Sequence, residues 1–180
     1  MVYVLLGTGF EETEAIAPID LMRRAGITVH TVGVNGKIVY GSHGIGVEAD
    51  ITLDALSLED AQMIVLPGGL KGVASVRASQ PAMDALAYCW NSGKYVAAIC
   101  AGPTVLADLH ITDGRKATCY PGCEAQMGSA DMVSGAASLI DGRLITGTSA
   151  GCAIPFALSL IEALKGKDTA RSIAEQIVIR

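Results

Sequence analysis

The sequence lacks any basic run longer than Arg23-Arg24, and acidic side chains outnumber basic ones 18 to 13. A net charge of -5 argues against the basic face that general nucleic-acid binding requires, so no nucleic-acid partner is expected. The opening Met1-Val2-Tyr3-Val4-Leu5-Leu6 lacks the basic segment of a secretory signal and runs straight into Gly7 and acidic residues. One uncharged stretch, 144–161, reaches the length limit of a membrane span. Gly147, Gly151 and Pro155 interrupt it, and Thr146, Thr148 and Ser149 are polar. A strand, a turn and a buried helix account for it better, and no membrane partner is expected. The cysteines number five, an odd count that with the missing signal favours reduced thiols and a cytoplasmic setting. Cys119-x-x-x-Cys123 has no matching second pair or nearby histidine, so no metal is expected. Neither G-x-G-x-x-G after a strand nor a phosphate loop occurs, so no nucleotide or other cofactor is expected.

What is present is a chain of 180 residues, 51% hydrophobic and 17% charged, long enough to bury a core. With no linker, repeat or low-complexity segment, residues 1–180 read as a single domain. Short apolar runs read as strands at Tyr3 to Leu6, Ile27 to Val32, Met63 to Leu66, Val96 to Ile99, Val133 to Leu139 and Arg143 to Thr146. Lys37 to Tyr40 and Ile45 to Glu48 suggest a small hairpin. Helical spacing begins at Glu11 and closes at Gly26, with Pro18 expected to kink the helix or to lie in its first turns. Further helices are expected over Gln80 to Ser92, Ala101 to Leu109, Ile154 to Leu164 and Thr169 to Gln176. Strands alternating with helices imply an α/β fold with a mostly parallel sheet covered on both faces. Such sheets bind ligands beyond the carboxyl ends of their strands. Three segments fall there: Gly7 to Glu14, Pro67 to Gly69, and Cys100 to Pro103.

Cys100 follows the buried strand Val96 to Ile99 and leads through Ala101-Gly102 into a helix. That junction resembles the nucleophile elbow of G-x-S-x-G enzymes. A helix start would favour a thiolate, and its free N–H groups could hold an oxyanion. The other reading is an inert cysteine buried behind a core strand, and spacing alone does not choose between them. Glu11, Glu12 and Glu14 cluster where the first helix begins, and helix-start chemistry suffices for Glu11 and Glu12. One of the three could face Cys100, where a neighbouring thiolate would raise its pKa and suit it to proton transfer. Gly68 and Gly69 follow a strand and would let backbone N–H groups approach a ligand. None of the histidines, His30, His43 and His110, adjoins these segments in sequence, and none is expected at the site.

Taken together, Gly9 to Glu14 (GFEETE), Asp20 to Ile27 (DLMRRAGI), Val65 to Gly69 (VLPGG), Ala97 to Pro103 (AAICAGP), Phe156 to Leu158 and Ile161 to Lys167 (IEALKGK) resemble the ThiJ/PfpI superfamily. Within it, the nearest likeness is to the clade of the human parkinsonism-associated protein deglycase and bacterial YajL. The resemblance implies a flavodoxin-like three-layer sandwich and a homodimer. By position it makes Cys100 an oxidation-sensitive nucleophile, Glu14 its partner carboxylate, and Gly69 and Ala101 donors of site N–H groups. The implied activities are glutathione-independent glyoxalase, protein deglycase, redox sensing and chaperone action, with a small reactive carbonyl as substrate. The protease branch has histidine after the nucleophile, where this chain has Ala101, which disfavours a protease. Tyr120 stands where the human-type branch has a histidine near the site, and Thr148 where the family has an arginine.

Overall fold

The computed structural model describes residues 1–179. The chain order is β1 (Val2–Leu6), α1 (Glu12–Arg24), β2 (Val29–Gly33), β3 (Ile38–Tyr40), β4 (Gly46–Glu48), β5 (Ile51–Thr52) and β6 (Met63–Leu66). It continues with α2 (Leu70–Arg77), α3 (Gln80–Asn91), β7 (Tyr95–Ile99), α4 (Pro103–Asp108), β8 (Lys116–Ala117) and β9 (Asp131–Met132). The last elements are β10 (Ser138–Asp141), β11 (Leu144–Gly147), α5 (Ala153–Lys165) and α6 (Lys167–Gln176). Seven strands form one sheet in the order β10-β11-β7-β6-β1-β2-β5. Every pairing in it is parallel except β10 with β11.

The central strands are apolar without interruption because both faces are covered. Alternate residues enter opposite cores: Val2, Val4 and Leu6 of β1 pack with Ile19 and Met22 of α1 and with Phe156 and Leu160 of α5. Tyr3 and Leu5 face the other way, toward Val73 and Val76 of α2, Leu86 of α3 and Val105 of α4. The result is the expected three-layer α/β sandwich. At the end of α1, Gly26 takes φ +68°, and Ile27 N–H bonds to the Met22 carbonyl while Gly26 N–H bonds to Arg23. This double bond pattern is the αL termination that glycine permits. Pro18 lies inside α1. Among the described residues no helix is long and apolar enough to cross a membrane. The uncharged stretch 144–161 divides into β11, a short 3₁₀ turn at Ala150–Cys152, and the first part of α5.

Three local readings change. The strand expected over Val133 to Leu139 is broken by a turn at Ser134-Gly135, where Gly135 has φ +76°, and β10 starts only at Ser138. The helix after Cys100 begins at Pro103, because Ala101-Gly102 is spent on the turn itself. Helix α2 is additional to the expected elements, because its Gly72 interrupts the apolar spacing. A Cβ on Gly72 would stand 2.6 Å from Phe10 Cα, so the glycine lets α2 press on the loop after β1.

Phe156 is fully buried and packs toward Gly147 at the end of β11. Phe156→Ala should cost about 3–5 kcal/mol of unfolding free energy. Urea denaturation checks this, and a loss below about 1 kcal/mol would show that the α5 layer is loosely packed.

Candidate active site

The carboxyl ends of β1, β6 and β7 bring the three expected segments together. Cys100 carries the sharpest feature, a φ of +65° in a residue that is not glycine. Such a backbone costs on the order of 1–3 kcal/mol and persists only where its surroundings hold it. Here Cys100 N–H donates to the Gly147 carbonyl at 2.9 Å, and the Cys100 carbonyl accepts from Tyr120 N–H at 2.8 Å. Gly102 N–H closes the turn on the Ile99 carbonyl. The elbow reading of Cys100 therefore matches the geometry, and its side chain is half-buried at a cavity wall.

Glu14 comes from the first turn of α1 and is 1% exposed. Glu11 sets its place as the N-cap, accepting Glu14 N–H at 2.7 Å. Gly68 N–H donates to Glu14 Oε2 at 2.9 Å, whereas Oε1 is buried without a hydrogen-bond partner. Gly68 thus differs from the expectation of a ligand-facing N–H, since its donor is already used to hold the carboxyl. A Cβ at Gly68 would lie 2.5 Å from Glu14 Oε2 and 2.7 Å from Cys100 Cβ, so only glycine allows the two groups to meet. Gly69, at φ +87°, and Ala101 direct backbone N–H groups toward the Cys100 sulfur.

Burial pushes the Glu14 carboxyl up to about 7, against the hydrogen bonds from Cys100 and Gly68. The Cys100 thiol is pushed up to about 12, first by burial and then by the Glu14 charge. Burial and the neighbouring charge thus act against the thiolate that a helix start would favour. With only six residues and a first residue at Pro103, α4 offers little dipole, and the N–H groups of Ala101 and Gly69 oppose burial without overcoming it. At neutral pH the pair is a thiol beside a carboxyl near the midpoint of its own titration.

A cavity of about 530 Å³ opens over Cys100, lined by Cys100, Gly69, Ala101 and Tyr120, with Glu11, Ser42, His43, Leu70 and Lys71. His43 is the residue sequence reasoning missed. It sits in the turn between β3 and β4, and Glu12, 6% exposed, holds it there. Glu12 Oε1 accepts His43 N–H at 2.7 Å, and Oε2 lies 2.8 Å from His43 Nδ1. Burial would raise Glu12, yet the bonds from His43 and Ile45 hold it at about 2. Glu12 is therefore a buried clamp, beyond the helix-start role expected of it. No local signal links residues 12 and 43; only the fold joins them.

Glu11, Glu12 and His43 are close enough to share an ion, with ligand atoms within 4.8 Å of one another. Both Glu12 oxygens and one Glu11 oxygen already accept hydrogen bonds. Cys119 and Thr148 line a second cavity, of about 250 Å³, with Thr118 and Glu124. Thr148 Oγ1 donates to the Ala136 carbonyl and pairs with Thr118 Oγ1, so it is committed to the loop before β10. Cys123 is buried.

A three-layer α/β protein with a strained cysteine elbow and a buried carboxyl beside it is the class defined here. Residues 1–163 match the DJ-1/PfpI family, and the chain belongs to it. It is 35% identical to Protein dj-1beta of Drosophila melanogaster over 178 residues, covering 98% of this chain and 95% of that protein. It is 31% identical over 144 residues to Deglycase PH1704 of Pyrococcus horikoshii, covering 80% of this chain and 83% of that protein. The solved structure of oxidized Toxoplasma gondii DJ-1 superposes with a TM-score of 0.92 at 36% identity, over 98% of this chain and 97% of that one.

The unfolded Glu14 carboxyl titrates near 4.5 and the folded one near 7. A raised folded pKa means the native state binds the proton more tightly. Its contribution to stability is therefore complete below about 4.5 and is lost as pH rises through about 7. That loss is on the order of 3 kcal/mol, and Glu14→Gln should remove this part of the pH dependence in urea titrations. The same substitution removes a charge that raises Cys100, so iodoacetamide should alkylate Cys100 at lower pH in the variant. Unchanged pH dependence in both measurements would show that the two groups do not interact.

Proposed function

We propose that the protein is a cysteine-dependent, cofactor-independent glyoxalase or deglycase-like enzyme acting on methylglyoxal or its adducts. The supporting observation is the Cys100 thiol on a strained elbow, with the buried Glu14 carboxyl beside it and a cavity above. A base with a pKa near the operating pH is suited to proton transfer. Cys100 Sγ attacks the aldehyde carbon, and its proton passes by way of Glu14 to the aldehyde oxygen, giving a hemithioacetal. Glu14 then takes the hydrogen on that carbon as a proton and returns it to the neighbouring carbon. Water hydrolyses the resulting thioester, releasing lactate and the thiol. The N–H groups of Gly69 and Ala101 stabilise the oxyanions, and Tyr120 shapes the cavity mouth. The relative called a deglycase supports the same substrate class.

A second reading is an oxidative-stress sensor or redox-regulated chaperone, in which peroxide oxidises Cys100 stepwise to sulfinate. The N–H groups aimed at the sulfur and the adjacent Glu14 would hold the added oxygens, and the oxidized Toxoplasma relative favours this reading. We further propose a cytoplasmic homodimer. Ile16 on α1 and Ile154 on α5 are 43% and 40% exposed, on two helices that pack together, and a second copy would cover them.

Lactate formation from methylglyoxal by the purified protein tests the enzyme reading. Cys100→Ala and Glu14→Gln should each lower the rate by about 100-fold or more, and the double variant should be little worse. Wild-type protein that makes no lactate, while peroxide still oxidises Cys100 selectively, would replace the enzyme with the sensor. Light scattering at micromolar concentration should give twice the chain mass, and a monomer would refute the dimer.

A further inference from the structure

Converting the hemithioacetal to a thioester moves two hydrogens. One passes from the first carbon to the second. The other leaves the oxygen on the first carbon and ends on the oxygen of the second. Glu14 lies behind Cys100, pinned by Gly68 N–H, and serves the carbons. A second titratable group on another wall of the cavity can move the oxygen-bound proton while Glu14 moves the carbon-bound one. Tyr120 lines that cavity as well.

The geometry points to His43 as the acid–base residue that moves the proton between the two substrate oxygens, with Glu12 as its positioning residue. This rests on the glyoxalase reading above. His43 and Ser42 line the same cavity as Cys100. Glu12 is ionised at neutral pH and has no proton to offer, so His43 Nδ1–H must donate to it at 2.8 Å. Nε2 is then the ring nitrogen left for substrate, the arrangement of base and orienting carboxylate found in hydrolytic triads.

The turn that carries the ring is anchored at several points. Gly9 N–H donates to the Tyr40 carbonyl at 2.7 Å, and Ser42 N–H to the Phe10 carbonyl at 2.8 Å. Ser42 Oγ also donates to Glu12 Oε2 at 3.2 Å. A Cβ on Gly41 would stand 2.3 Å from Glu12 Oε1, so glycine there admits the carboxylate beneath the turn. Glu12 and Glu11 on α1 act on the ring, and Lys71 on α2, Cys100 and Tyr120 line the same cavity. The hydrogen bond and charge of Glu12, with a smaller contribution from Glu11, raise the His43 pKa above its usual value. The imidazolium thus survives to higher pH, the form that protonates the carbonyl oxygen. It regains a proton from the hydroxyl on the first carbon, so the ring ends the cycle as it began.

The test measures kcat and KM for methylglyoxal against pH in wild type, His43→Gln and Glu12→Gln. His43→Gln keeps a donor toward Glu12 but cannot exchange protons. Its kcat should fall about 100-fold, with KM little changed and with Cys100 alkylation and circular dichroism as in wild type. Wild type should lose activity at alkaline pH as His43 deprotonates, and this loss should be absent from His43→Gln. Glu12→Gln should move that loss to lower pH, because His43 loses the charge that raises it. Added imidazole should restore part of the rate to His43→Ala. If wild type makes lactate and His43→Gln matches its kcat and pH profile, the assignment is overturned and the glyoxalase reading stands. If wild type makes no lactate, both fall.

Discussion

The structure depends on one hydrogen bond, from Gly68 N–H to the buried carboxyl of Glu14. It ties the end of β6 to the first turn of α1, while the second carboxyl oxygen is buried without a hydrogen-bond partner. Everything around it serves that contact. Gly68 has no side chain because a Cβ would meet both Glu14 and Cys100. Cys100 accepts a left-handed backbone because β11 and the Tyr120 loop each bond to its peptide groups. The sheet supplies the rigidity, since β1, β6 and β7 are adjacent and parallel and end at the same edge.

Two carboxylates two residues apart in the first turn of α1 show how environment assigns roles. Glu12 and Glu14 are both buried at the start of α1. Glu12 receives N–H and hydroxyl donors from the β3–β4 turn and stays ionised, held at about 2. Glu14 receives a single backbone donor and a thiol, and burial carries it to about 7. The first becomes a structural anion that fixes a histidine, and the second a carboxyl that titrates near neutrality. The count of hydrogen-bond donors separates them, because only donors offset the loss of water.

Much of this was legible in the sequence. The strand at Val96–Ile99, the small residues after Cys100 and the glycines after β6 marked the elbow and the sheet edge. Family motifs in GFEETE, VLPGG and AAICAGP tied them to one site. The pairing of Glu12 with His43 was not legible, because the residues are 31 apart and the turn between β3 and β4 carries no motif of its own. Nor was α2, where Gly72 removes an apolar position to admit the Phe10 loop. The thiol's rise to about 12 was hidden for a similar reason, since burial and a neighbouring charge are properties of the packed site.

The sequence by itself determined the α/β layering, the position of the cysteine at a strand end and the family. Apolar periodicity and local turn chemistry act over a few residues and are written along the chain. The tertiary structure alone decided which of three clustered glutamates meets the thiol and which clamps a distant turn. It also decided that Gly68 spends its N–H on a carboxylate and that a histidine enters the cavity wall. These outcomes turn on distances of a few ångströms between segments far apart in sequence, where desolvation and donor count outweigh anything a residue's neighbours in the chain can specify.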